Sequence, residues 1–403
     1  MPTLLQINTT CNTGSHGRMA EQIGIAALRE GYRSVIAYGR GSGTSASETI
    51  HTSSRADMYA HALETRLFDR HGLGSRMATS ALLRHIDRIA PDIVHLHNIH
   101  GYYLNYPQLF RMLGGTGVPV VWTLHDYWAF TGHCAQFTSV GCDRWLTGCH
   151  DCPQLHTYPA SWIRDRSADN YRDKMAAFKC LANLNIVTVC DHQAGLVRSS
   201  MLRGHPIHTI HNGIDLQRFR PIDHITSEKS HKYRLIGVAN VWNQWKGFDD
   251  FILLRKLLPD SFEIMLVGVT SPQAASLPKG IRGICHVDQE ELVRLYSSAD
   301  LFVNLSHDDT YPTTLLESLA CGTPVATYDT GGCREAISES CGIVVPRGDV
   351  SAMAAAIKAI CETTGSFRRF PNIVCRDYAV ANHDQNACTK SYLDLYSKLL
   401  QRL

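Results

Sequence analysis

What most limits the fold of this chain is a rhythm of short apolar runs, each followed by a stretch with helical spacing. Leu4–Asn8 (LLQIN) has the content of a buried strand, and Arg18–Glu30 then sets Met19, Ile23, Ala26 and Ala27 at helical intervals. Ser34–Tyr38 reads as the next strand. A helical pattern over Ser80–Ala90 stops at Pro91-Asp92, and strands follow at Ile93–Leu96, Val118–Leu124 and Ile186–Cys190, with a helix over Gln193–Met201. The second half repeats the pattern. Strands at Leu235–Ala239, Glu263–Val267, Ile284–Val287, Leu301–Leu305, Pro324–Tyr328 and Gly342–Val345 alternate with helices at Phe248–Leu258, Glu290–Ser298, Thr313–Ala320 and Val350–Cys361. Alternation of this kind implies parallel sheets covered by helices on both faces.

The two runs separate near residue 210, which predicts two Rossmann-like domains. The expected boundaries are 1–208 and 209–375, with 376–403 a C-terminal helix returning to the first domain. Ligands of such sheets bind at the carboxyl ends of the strands, so the site is expected in a deep cleft between the domains. Gly39–Ser54 (GRGSGTSASETIHTSS) reads as a mobile surface loop. The 403 residues are 44% hydrophobic and 19% charged, enough to bury large cores. The net charge of +2 gives no bulk attraction for nucleic acid. The opening MPTLLQINTTC lacks a basic, apolar leader, and no window reaches the roughly 20 apolar residues of a spanning helix. A cytoplasmic protein is expected.

Four of the 14 cysteines, Cys134, Cys142, Cys149 and Cys152, are spaced C-x7-C-x6-C-x2-C inside an insertion at 127–160. Four thiolates fill the tetrahedral shell of Zn2+, which makes a structural rather than a catalytic site. His133 and His150 are adjacent spare donors. The alternative is four unliganded thiols on a loop. His95, His97 and His100 invite a metal too, but without an acidic partner nearby they read better as a wall contacting an acceptor, or as packing.

The segment HDDTYPTTLLESLACGTPV, His307–Val325, carries the most chemistry. Pro312 suits the first turn of a helix. The amides of Thr313, Thr314 and Leu315 then lack intrahelical partners and make a positive end suited to a diphosphate. Asp309 and Glu317 lie eight residues apart, too far for a close acid–base dyad and suited to gripping separate parts of one long ligand. Ordinary polar capping of a helix is the plainer alternative.

This segment resembles the E-x7-E signature of the retaining glycosyltransferases of family 4, which have the GT-B fold, with Asp309 in the first acidic position and Glu317 in the second. Cys321–Val325, Thr330-Gly331-Gly332 with Glu335, and His211–Asp215 followed by Phe219 and Pro221 extend the likeness. The resemblance implies a nucleotide-diphosphate sugar as donor. Asp309 would hold a hydroxyl of the transferred sugar, Glu317 the ribose, and Leu315 would face the phosphates. His125 would bind that sugar, and Lys246 would steady the departing diphosphate together with Asn240 and the backbone of the Gly14 loop. His97, Asn98 and Asp126 would lie on the acceptor side. Transfer itself would need no metal. The family's arginine before the lysine is replaced here by Val241 and Trp242. The stretches at 94–105 and 122–153 are similar to exopolysaccharide-assembling members. They imply a saccharide acceptor, lipid-linked, and a peripheral station at the inner face of the cytoplasmic membrane. A GT-B epimerase or a non-catalytic sugar-binding subunit are the rival readings.

Overall fold

The computed structural model describes residues 1–41, 43–222, 233–361, 370 and 372–401. The chain divides into two compact units, Met1–Ile210 with Cys388–Leu403, and His211–Ala387. In chain order the first contains β1 (Thr3–Thr10), α1 (Gly14–Arg29), β2 (Arg33–Arg40), β3 (Glu48–His51), α2 (Arg55–Phe68), α3 (Arg76–Ile89), β4 (Ile93–Leu96), α4 (Tyr106–Thr116) and β5 (Val120–Leu124). It continues with α5 (Ser167–Phe178), β6 (Leu184–Thr188), α6 (Asp191–Ser199) and β7 (Ile207–Thr209). The second contains β8 (Tyr233–Val238), α7 (Phe248–Leu257), β9 (Phe262–Val267), α8 (Ser271–Ser276), β10 (Ile281–Ile284), α9 (Gln289–Ser298) and β11 (Leu301–Asn304). There follow α10 (Thr313–Ala320), β12 (Val325–Tyr328), β13 (Gly342–Val345), α11 (Val350–Cys361) and α12 (Asn372–Asn382), and the last helix is α13 (Gln385–Leu400).

Both sheets are parallel. The first runs β3-β2-β1-β4-β5-β6-β7 and the second β10-β9-β8-β11-β12-β13. In each, the order reverses at one place, between β1 and β4 and between β8 and β11. Connections leave a reversal point on opposite faces, so a crevice opens there at the strands' carboxyl ends.

Successive strand residues point to opposite faces, and both faces are covered. Leu5, Ile7, Val94, Leu96, Val120, Trp122 and Ile186 build one core with Phe110 and Phe178, while Leu4, Ile93, Val121 and Val187 build the other. That second core is closed by Met19 and Ile23 of α1 and by Tyr392, Leu395 and Tyr396 of α13. The far end of the chain therefore finishes the first unit. Thr123 Oγ1 donates to the Tyr392 hydroxyl at 3.1 Å, and Tyr396 lies 2.6 Å from His95 Nδ1.

Four sequence expectations need correction. The C-terminal segment is two helices, broken at His383-Asp384, where the chain bonds across Ile214 (2.8 and 3.1 Å). A Cβ on Gly213 would meet Gln385 Cα at 2.5 Å, so that crossing needs a glycine. The supposed mobile loop 39–54 holds β3, an edge strand paired with β2; its polar residues hide the alternation, and Ser42 lies outside the described residues. The strand expected at Ile284–Val287 sits earlier, as β10, because it pairs Ile281 with Ile264. Pro312 is the residue before α10, in extended conformation, not in its first turn. The parts of the expected 209–375 and 376–403 segments at 223–232, 362–369, 371 and 402–403 lie outside the described residues.

Tyr392 is fully buried. Tyr392→Ala is expected to cost about 3–5 kcal/mol in denaturant unfolding, the usual penalty for an emptied aromatic site, and Tyr392→Phe only about 1 kcal/mol for its hydrogen bond.

Candidate active site

In the first unit, the residues that follow β1, β4 and β5 form one polar cluster at the reversal point. Gln6 begins it. Its Nε2 donates to the Ala20 carbonyl at 2.8 Å, which turns Oε1 toward His97 Nε2 at 3.0 Å. An amide oxygen only accepts, so the His97 proton is on Nε2 and its Nδ1 is a lone pair. His125 Nε2, 3.2 Å from that lone pair, must supply the proton between them. The Nδ1 of neutral His125 is then an acceptor. Burial, with the neighbouring imidazoles, holds both His97 and His125 well below the ordinary histidine range, so both are neutral near pH 7.

The structure assigns different work to the other residues expected here. His97 is 1% exposed and stands behind His125, so it supports that ring and does not line a surface. Asp126 has both oxygens engaged, Oδ2 by His100 Nε2 at 2.8 Å and Oδ1 by the Trp128 amide at 3.0 Å. Burial works to raise its pKa, yet His100 and these bonds keep the carboxyl below its usual range. Asn98 uses its carbonyl to accept from Thr9 and Tyr103, at 2.9 and 2.8 Å. Gly14 opens α1 at φ 71°, a left-handed turn that lets the helix begin soon after β1. His95, fully buried between Thr123 and Tyr396, packs against α13.

Sequence reasoning missed His16, whose Nδ1 lies 3.0 Å from Asn8 Oδ1 and whose ring is 5.9 Å from that of His125. The glycines of TCNTGSHG drew attention to that loop, and the histidine between them is the part that reaches the cluster.

In the second unit, the reversal point joins two of the expected catalytic residues directly. Lys246, in the loop after β8, places Nζ 2.6 Å from Asp309 Oδ2 in the loop after β11. Burial alone would lower the lysine, but the Asp309 charge outweighs it and raises it, so Lys246 stays cationic. Glycines permit this approach. A Cβ on Gly247 would strike the Leu305 carbonyl at 2.2 Å, and one on Gly331 the Asp309 carbonyl at 2.0 Å, and both have positive φ. A second link was invisible in the motifs: Asp250 Oδ2 accepts from His307 Nε2 and the Tyr328 hydroxyl, both at 2.8 Å.

Thr313 and Thr314 start α10, while the Leu315 amide already bonds the Pro312 carbonyl at 3.3 Å and is less available than expected. Glu317 is buried one turn inside, with Oε2 3.1 Å from the Tyr296 hydroxyl and Oε1 3.5 Å from the Thr313 hydroxyl. Asn240 is exposed beyond β8. Where the family carries arginine, Trp242 is buried and donates to the Val267 carbonyl at 2.8 Å, and Val241 faces solvent. The indole serves the core and replaces no charge.

Between β5 and α5 the chain has only three short helical turns, packed around Tyr127, Phe130, Phe137 and Trp145. Cys134, Cys142, Cys149 and Cys152 line one small cavity there. Cys134 is buried and the others are half-buried.

Comparison with known proteins now gives this architecture a class. Two parallel doubly wound units of this kind are the GT-B glycosyltransferase fold: sucrose-phosphate synthase from Thermosynechococcus elongatus superposes with a TM-score of 0.74 at 16% identity, covering 100% of both chains. The Anabaena protein Alr3699/HepE, solved with UDP, has a TM-score of 0.68 at 13% identity, covering 99% of this chain and 100% of that one. The family follows from sequence. Residues 16–218 match the model for Glycosyltransferase Family 4, and residues 219–371 that for Glycosyl transferases group 1. The chain is 30% identical over 366 residues, 86% of its length and 88% of the relative's, to a protein named colanic acid biosynthesis glycosyl transferase WcaC from Escherichia coli K12. It is 26% identical over 54% of its length, and 61% of the relative's, to the N,N'-diacetylbacillosaminyl-diphospho-undecaprenol alpha-1,3-N-acetylgalactosaminyltransferase of Campylobacter jejuni. The chain belongs to glycosyltransferase family 4 and is a glycosyltransferase.

The buried histidines set a pH dependence. Burial pushes His95 down to about 3, and His16 and His61 to about 4. Below about pH 6.5 the unfolded chain takes up protons that the folded chain refuses, so stability falls as pH drops. Each such ring is expected to remove up to about 1.4 kcal/mol per pH unit below that point. Unfolding free energies measured from pH 7.5 to 4.5 should decline steeply below 6.5, and a flat profile would contradict the neutral assignments.

Proposed function

We propose that the enzyme is a retaining transferase that moves a sugar from a nucleoside-diphosphate sugar to a lipid-linked saccharide during exopolysaccharide assembly. The observation that carries the donor reading is the Lys246–Asp309 pair at the reversal point of the second sheet, with the start of α10 in the following segment. The names of the WcaC and Campylobacter relatives support the acceptor class.

In this reading the amides of Thr313 and Thr314 and the Lys246 ammonium stabilise the departing diphosphate. Asp309 orients Lys246 in the free enzyme and takes a sugar hydroxyl when the diphosphate draws the lysine away. Glu317, positioned by Tyr296, holds the ribose. His125 offers its Nδ1 lone pair to a sugar hydroxyl, and its tautomer is set through His97 by Gln6. The bond from the anomeric carbon to the diphosphate breaks as the acceptor oxygen bonds on the same face. The acceptor's proton goes to a phosphate oxygen of the leaving group. Transfer needs no metal.

The test is thermal stability against UDP, GDP and ADP and their sugars, then transfer assays with the anomeric configuration of the product read by NMR. One base should raise the melting temperature selectively, and the product should keep the donor's configuration. Lys246→Ala and Asp309→Asn should each lower kcat about 100-fold or more, whereas Glu317→Ala should chiefly raise donor KM. Near-normal kinetics in all three would remove the assignment.

Contact with a membrane surface is part of the same proposal. Among the described residues no helix is long and apolar enough to cross a membrane. The candidate surface combines exposed Tyr59 and Leu63 on α2 with exposed Trp162 and Ile163, with the Arg66 guanidinium 5.7 Å over the Trp162 ring. Apolar side chains beside arginine suit an anionic lipid surface. Trp162→Ala with Ile163→Ala is expected to reduce cosedimentation with vesicles containing anionic lipid, while leaving vesicle-free transfer unchanged.

A further inference from the structure

The irregular segment between β5 and α5 carries a charge problem that its aromatic packing does not solve. Lys174, on α5, is 1% exposed. Its Nζ donates to the carbonyls of Trp128 and Thr131, at 2.6 and 3.0 Å, and lies 3.5 Å over the Trp128 ring. Among the described residues no carboxylate lies within ion-pairing distance of it. Burial pushes Lys174 down to about 7, so a negative group nearby is what would hold it as a cation.

Sulfur gathers beside it. Cys134, Cys142, Cys149 and Cys152 line a small cavity together with His133, Phe137 and Trp145. His133 gives an independent sign of a missing ligand. Its ring is 2% exposed, and its Nδ1 is held 2.6 Å from the carboxylate of fully buried Asp69. Its Nε2 is buried and has no partner. A carboxylate behind one imidazole nitrogen, with the other turned to a cavity of thiols, is the arrangement that supports metal ligands. The backbone contributes as well. The Gly132 amide donates to Cys149 Sγ at 3.1 Å, and a Cβ on Gly132 would strike the Ser167 carbonyl at 2.1 Å, so only glycine brings that amide to the sulfur.

We propose that Cys134, Cys142, Cys149 and Cys152 bind one thiophilic divalent cation of the zinc type, with Asp69–His133 and Lys174 as its charge-balancing surround. Four thiolates on a divalent cation leave two negative charges, which supply the anion that Lys174 lacks. The sulfurs surround the cavity without closing on it: among the described residues no three of them lie within 4.8 Å of one another. Metal–sulfur bonds of about 2.3 Å would draw them in. Four protein ligands leave no open position, so the cation takes no part in transfer. It acts on the acceptor side through Lys174, which fixes Trp128; that ring packs 5.1 Å from His100, the partner of Asp126.

The test uses the full chain, purified under reducing conditions, with metal content measured by elemental analysis. One zinc per chain is expected. Replacement with Co2+ should give the intense near-ultraviolet charge-transfer bands and visible bands of tetrahedral thiolate. Cys142→Ser and Cys149→Ser should lose the metal, and Lys174→Met and His133→Ala should weaken Co2+ binding roughly 10–100-fold while keeping the thiolate spectrum. A folded, reduced wild-type chain that takes up no Co2+ and leaves all four thiols open to a thiol reagent would overturn the proposal, whatever the variants do. Metal retained in both serine variants would overturn the ligand set.

Discussion

Parallel pairing at the two reversal points governs this molecule. β1 beside β4, and β8 beside β11, send their connections to opposite faces and leave the strand ends uncovered. Most of the candidate site residues follow strand ends: His97 after β4, His125 and Asp126 after β5, Lys246 after β8, and His307 and Asp309 after β11. The pairing also explains why both units need helices on two faces, and why α13 must come back from the end of the chain. Without Tyr392 and Tyr396, the face of the first sheet formed by Leu4, Ile93 and Val121 would lack much of its cover.

The two sites handle charge in opposite ways. The first is a buried array of neutral rings, whose protons are placed by one amide. Gln6 can satisfy both Ala20 and His97 in only one orientation, and that choice passes through His97 to His125. The second holds a full ion pair, with its lysine kept charged by Asp309 despite burial. Such a division suits the proposed reaction, in which negative charge would develop on a departing diphosphate while the sugar side would need hydrogen-bond acceptors more than cations. Trp242 is a core residue, so beside β8 the cation of this cluster is Lys246, paired with Asp309.

Much of the architecture was legible in the chain itself. Strand positions came from apolar runs, and the turn glycines Gly213 and Gly331 stood inside motifs whose backbone approaches explain them. Elements with weak patterns were missed. β3 is a polar edge strand. α2 and α5 carry few residues on a buried face, and α5 contributes a lysine to the interior, which no apolar count anticipates. The motifs singled out His125, Lys246, Asp309 and Glu317, but not the groups that those side chains bond. Gln6, Asp250 and Tyr296 lie on separate strands or helices, and their roles depend on distances of about 3 Å across elements far apart in sequence.

The sequence by itself determined the alternating α/β plan, the family and the residue types of the candidate site in the second unit, because periodicity and short motifs are local properties of the chain. Tertiary structure decided which of those residues are free to act. It buried His97 behind His125, bonded both oxygens of Asp126, joined Lys246 to Asp309, and set Asp69, His133 and Lys174 beside the four cysteines. Those outcomes follow from long-range packing, which fixes the burial and the partner that give a side chain its charge and its proton.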